Sequence, residues 1–134
     1  MRSFKAIINF IAGIAFFTTG SSMLCAAQAS NTSPPPAYYV AEFEVTDAIA
    51  IQPYRENVEA TLKPYGGHFI VRGGNTLSLE GNAPVRRMVI IKFESLEKAK
   101  AWYNSPAYTE LRQIRLKSAN ADVYIIDGSA EKAE

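Results

Sequence analysis

Apolar and polar positions first alternate, then recur at helical spacing, then alternate again along residues 39–126, and the order of those changes predicts an architecture. Tyr39, Ala41, Phe43 and Val45 alternate with Val40, Glu42 and Glu44, the pattern of a first strand. Thr46-Asp47 offers a cap, and Ile51, Tyr54, Val58, Leu62 and Tyr65 then recur at spacings of three and four, one face of a helix. Pro53 either sits in the first turn of that helix or kinks it, while Pro64 and the pair Gly66-Gly67 mark its end. His68 to Arg72 is a second strand. Gly73-Gly74-Asn75 turns the chain, Leu77 and Leu79 alternate in a short extended piece, and Gly81 to Pro84 turns it again before a long apolar third strand, Val85 to Phe93.

Ser95 is placed to cap a second helix with Leu96, Ala99, Trp102 and Tyr103 on its inner side. Asn104-Ser105-Pro106 breaks and restarts it, serine as cap and proline as first residue, with Tyr108, Leu111, Ile114 and Arg115 continuing inward. Asp122 to Ile126 supplies a fourth strand. Strand, helix, strand, strand, helix, strand with right-handed crossovers is the ferredoxin-like α+β unit: a four-stranded antiparallel sheet with its helices on one face. The other face is left bare. Both parities of the third and fourth strands are apolar, Val89, Ile91 and Phe93 against Met88 and Ile90, and Val123 and Ile125 against Tyr124 and Ile126. Such a face does not stay in water, and a second copy laid sheet to sheet is its simplest cover, so a homodimer is expected.

The start of the chain follows a different pattern. Arg2 and Lys5 precede the apolar run Ala6 to Phe17, and Ala27-Gln28-Ala29 supplies the small residues that a signal peptidase requires, so residues 1–29 are expected to be a signal peptide cut after Ala29. The run is shorter than a bilayer span of ~20 residues and Thr18, Thr19, Ser21 and Ser22 follow it, against a membrane anchor. Ser22-Met23-Leu24 lacks the usual leucine three places before Cys25, against a lipoprotein. Residues 30–37, with Pro34 to Pro36, are expected to be an extended linker, 38–128 the folded domain and 129–134 a frayed tail. The implied address is periplasmic or secreted.

Of the 134 residues, 48% are apolar and 20% charged, which places the chain among single globular domains. Removing the leader discards the only cysteine, two of the 14 basic residues and none of the 13 acidic ones. No disulfide or thiol nucleophile then remains, and the near-neutral balance gives no electrostatic reason to expect nucleic acid or, after cleavage, a membrane as partner.

Residues 38–128 also resemble the domain of unknown function 1330 (DUF1330) family, of the dimeric α+β barrel superfamily. The likeness rests on Asp47 and Tyr54, on Gly66-Gly67 followed by Arg72-Gly73-Gly74, on Glu80-Gly81, and on Trp102-Tyr103-Asn104-Ser105-Pro106-Ala107-Tyr108 with Arg115 downstream. The exported leader, and His68 where relatives often have Arg or Lys, set this chain apart. The resemblance implies two chains closing their sheets into one barrel. Superfamily relatives include cofactor-independent monooxygenases, lactone isomerases and haem enzymes with pockets between sheet and helices.

Candidate chemistry is concentrated in a few residues. Arg72, beside Gly73 and Gly74, suits a guanidinium gripping an anionic group, with Glu80 returning opposite it as base or orienter; the alternative is a structural ion pair. Trp102, Tyr103 and Tyr108 flank the Ser105-Pro106 break, where aromatic faces and hydroxyls can meet a pocket or simply fill the core. Arg115, with Arg112, completes a cationic rim or else is solvated or paired with Glu110 or Asp122. Catalytic candidates are thus Arg72, Glu80 and Tyr108, and ligand-binding candidates Gly73, Gly74, Trp102, Ser105 and Arg115. His68 is the single histidine, and one imidazole without thiolates does not make a structural zinc site. No phosphate-loop or dinucleotide spacing is present, and no cofactor or metal is expected. Two readings follow: a homodimer with a small apolar pocket that performs proton transfer or other cofactor-free chemistry on a small organic acid or carbonyl compound, or the same dimer as a non-catalytic ligand-binding or interaction module.

Overall fold

The computed structural model describes residues 33–129. The expected signal peptide, the first residues of the linker and residues 130–134 of the tail lie outside them. The four strands are β1 (Ala37–Val45), β2 (His68–Arg72), β3 (Arg87–Phe93) and β4 (Ala119–Asp127), and the helices are α1 (Gln52–Leu62), α2 (Leu96–Tyr103) and α3 (Pro106–Ser118). A 3-10 turn, Lys63–Tyr65, extends α1. The sheet runs β2-β3-β1-β4 with every pairing antiparallel, the ferredoxin-like order. No helix among the described residues is long and apolar enough to cross a membrane.

Local chemistry accounts for most boundaries. Asp47 accepts hydrogen bonds through Oδ1 from the backbone N–H of Ile49 and Ala50, 3.0 and 2.9 Å, and so forms the turn that leads into α1. Pro53 lies in the first turn of α1 rather than bending it. Gly66, at φ +68°, closes the extension with its N–H on the carbonyl of Lys63. Ser95 and Ser105 both cap as their sequence context implies, accepting from the N–H of Lys98 and Tyr108 at 3.3 Å.

Strand lengths depart from the hydrophobic pattern where a partner strand begins or ends. β3 starts at Arg87, not Val85, because its ladder with β1 begins at the Phe43–Arg87 pair, and Val85 is fully exposed. β4 is longer than its apolar run: Ala119 and Asn120 pair with Val45 and Glu44, so backbone pairing recruits residues of weak strand preference. β1 likewise takes in Ala37 from the proline-rich stretch, while the Pro36 carbonyl accepts from the N–H of Gly128 at 2.7 Å. Leu77 and Leu79 form no strand and stand exposed in the loop between β2 and β3.

All three helices cover one face, where Tyr39, Ala41, Val89, Ile91 and Phe93 of the sheet pack with Val58, Leu62, Ala99, Trp102 and Tyr108. The opposite face presents Tyr38, Val40, Met88, Ile90, Tyr124 and Ile126 in adjoining register, with Glu42 and Lys92 among them. Tyr124 and Ile126 keep 46% and 51% of their surface exposed, so apolar area does line the uncovered side.

A candidate anion site between sheet and helices

The helix-covered layer is filled at one end by aromatic rings. Trp102 is fully buried, with centroids 4.0 Å from Tyr108, 5.1 Å from Tyr39 and 5.4 Å from Phe93, and its Nε1 donates to Thr61 Oγ1 at 3.0 Å. At the other end a hollow of about 180 Å³ remains. Its walls are Tyr39, Ala41, Phe43, Val89 and Ile91 from the sheet, Tyr54, Arg55 and Val58 from α1, Phe69 and Arg72 from β2, Arg87, and Arg115 from α3.

Arg115 is the unusual member of that wall. Only 3% of it is exposed, yet its Nε and Nη1 have no hydrogen-bond partner. A buried guanidinium without an acceptor is costly, so a group that offers negative oxygen beside it is strongly favoured. Burial works against its charge, but Tyr108, Tyr39, Tyr54 and Tyr103 around it favour the cation, and its pKa is raised overall. Behind it the hydroxyls of Tyr39 and Tyr108 share a hydrogen bond of 3.1 Å. Burial first, and then Tyr108, push the Tyr39 and Tyr54 phenols well above their ordinary pKa. Both stay protonated at neutral pH and are donors, not bases.

Arg72 reaches the same hollow through an irregularity in β2. Phe69 pairs with Ile91, but the next paired residue is Val71 with Ile90, and Arg72 then pairs with Val89. The extra residue, Ile70, makes a bulge that returns Arg72 to the helix-covered face beside Phe69, whose ring its guanidinium overlies at 4.5 Å. Strict alternation would have aimed it outward.

The expected Arg72–Glu80 pair does not form. Arg72 instead bonds Glu59 of α1 at 3.0 Å and donates to the carbonyl of Arg55, because the bulge turns it toward the helix, while Glu80 stands exposed in the loop after Gly74. Gly73, at φ +71°, gives room to Arg87: a Cβ there would lie 2.3 Å from Arg87 Nε, and Arg87 Nη2 donates to the Arg72 carbonyl. Gly74 faces open space. Trp102 belongs to the filled end, and the Ser105 hydroxyl is occupied as a helix cap; neither lines the hollow. Tyr108 stands one layer behind the wall, bonded to Tyr39. Arg112 overlies the Tyr103 ring and Asp122 pairs with Arg86, so neither meets Arg115. His68 is exposed, and no cluster of metal-ligating side chains occurs among the described residues.

Of the expected site residues, the fold therefore brings Arg72 and Arg115 to one hollow and sets Tyr108 behind it. Tyr39, Tyr54, Arg55 and Arg87 join them unforeseen. Tyr39 and Tyr54 lay on the inward stripes of the first strand and helix, so the sequence did carry a signal, but one shared with ordinary core residues.

The family model for DUF1330, a domain of unknown function, matches residues 36–129. The chain belongs to the DUF1330 family. No curated protein matches it. Among solved structures, this DUF1330 protein is similar to one of unknown function from Rhodopseudomonas palustris at 16% identity and a TM-score of 0.57, covering 75% of this chain and 88% of that one. It is also similar to SnoaB, a cofactor-independent oxygenase from Streptomyces nogalater, at 15% identity and a TM-score of 0.51, covering 74% and 96%. These likenesses establish the shared ferredoxin-like fold.

Proposed function

We propose that this DUF1330 protein is exported, pairs with a second copy through the bare face of its sheet, and binds a small organic acid or carbonyl compound between sheet and helices. The observation that carries the reading is the buried Arg115 guanidinium, with two unpartnered nitrogens, in the wall of a hollow whose body is apolar and whose other charged lining residues, Arg55, Arg72 and Arg87, are also arginines. An engineered apolar cavity of about 150 Å³ holds benzene, so a hollow of about 180 Å³ suits a body of one ring or a short chain. Arg115, with the protonated Tyr39 and Tyr54 beside it, stabilises negative charge on oxygen, either a carboxylate or the enolate of a carbonyl compound. The lining of this hollow contains no carboxylate and no imidazole. The geometry therefore supports holding an oxyanion more directly than withdrawing a proton, and binding is the function we adopt.

Titration calorimetry with benzoate and with benzaldehyde tests the site. Saturable binding of one of them is expected, and Arg115→Met is expected to weaken it at least tenfold, the scale of one charge-assisted hydrogen bond. Absence of saturable binding by both would overturn the reading. Native mass spectrometry of protein from the host's envelope fraction tests the rest: a chain beginning at Ser30, present in pairs, is expected.

A further inference from the structure

A second hollow, of about 370 Å³, adjoins the first, and Phe43, Arg55 and Arg87 line both. It is completed by Glu44, Val45, Val85 and Arg86. Across the two linings, Arg72 and Arg86 are neutralised by ion pairs with Glu59 and Asp122. The other three arginines, Arg55, Arg87 and Arg115, take part in no ion pair among the described residues. Glu44, in the wall of the second hollow, is the one carboxylate in the two linings. Two positive charges are left over, and their positions differ: Arg115 is buried at the back of the inner hollow, whereas half-buried Arg55 and exposed Arg87 stand where the two hollows meet.

We infer that the ligand is a small dianion, such as a dicarboxylate, with one anionic group at Arg115, an apolar body against Phe43, Val58 and Val89, and a second anionic group at Arg55 and Arg87. This rests on the organic-acid reading above and narrows it. A monoanion satisfies the buried cation and leaves the outer pair unmatched. A dianion matches both, and the low-dielectric walls of Phe43, Phe69 and Ile91 strengthen the attraction inside the hollow. The outer contact is the wetter of the two, so its contribution is the more sensitive to salt.

The test compares benzoate with phthalate, isophthalate and terephthalate, which keep the ring and add one carboxylate in different positions, by calorimetry at neutral pH in low salt. At least one diacid is expected to bind about tenfold more tightly than benzoate. Arg55→Gln is expected to bring that ratio close to one, as is moderate added salt. If benzoate binds and no diacid binds more tightly, the dianion inference falls while the organic-acid reading stands. A preference for a diacid that survives Arg55→Gln also overturns the inference, since the second group then lies elsewhere. If none of the four acids binds, the dianion inference falls together with the organic-acid half of the reading, and benzaldehyde alone decides the carbonyl half.

Discussion

Trp102 and Arg115 occupy the same layer between sheet and helices, and their surroundings are built on opposite terms. Around Trp102 the volume is filled by Phe93, Tyr39 and Tyr108, and its one polar atom is bonded to Thr61. Around Arg115 a hollow remains and two buried nitrogens lack acceptors. Close packing and satisfied polar groups are what folding selects; a void beside an unsatisfied cation is what folding alone would remove. The difference teaches where to look for a ligand. Stability is invested at one end of the layer and withheld at the other.

The strongest test of that contrast is Trp102→Ala. It removes a fully buried indole and the hydrogen bond its Nε1 donates to Thr61, whose own hydroxyl stays bonded to the Val58 carbonyl, with an expected loss of about 3–5 kcal/mol in denaturant unfolding. A loss below about 1 kcal/mol would mean the aromatic end is not the part that holds the fold together.

The tyrosines that connect the two ends give the next effect through pH. The folded-state pKa of Tyr39 lies above its ordinary value of 10.0, chiefly through burial and then through Tyr108, so the folded chain keeps a proton that the unfolded chain loses. Its contribution is complete below pH 10 and is lost as pH rises above that value, at up to about 1.4 kcal/mol per pH unit for one proton. Unfolding midpoints between pH 9 and 11 are expected to fall less steeply for Tyr39→Phe than for the parent; equal slopes would count against the buried hydroxyl pair.

Arg115→Met reverses the sign. Replacing an unsatisfied buried cation by an apolar side chain of similar length is expected to stabilise the free protein by about 1–2 kcal/mol while benzoate binding weakens at least tenfold. Destabilisation would show that the guanidinium has a structural role its surroundings do not reveal.

Much of this architecture was legible in periodicity. The inward stripe of α1 and the two serine caps follow from spacing alone, because helical faces and caps are set by residues a few positions apart. The start of β3 and both ends of β4 were not, since they depend on where a distant strand stops. The site was legible in part: Arg72 and Arg115 stood out as cations, whereas Tyr39 and Tyr54 looked like core residues until a hollow appeared beside them. The Glu80 pairing failed for a physical reason. A single extra residue at Ile70 reverses the direction of Arg72, and nothing in the sequence His68 to Arg72 announces a bulge.

That bulge leads to the smallest expected effect. The Arg72–Glu59 pair is made by groups that are 49% and 60% exposed, where water and salt screen the attraction, so Glu59→Gln is expected to cost less than about 1 kcal/mol of stability. Its effect on binding has the opposite sign. Without Glu59 the Arg72 guanidinium, still held over the Phe69 ring, adds an uncompensated positive charge to the inner hollow, and affinity for terephthalate is expected to rise a few-fold in low salt and to return to the parent value in high salt. A fall in affinity would mean that Glu59 fixes Arg72 in the position a ligand needs. Orientation by the ion pair would then outweigh the charge it cancels.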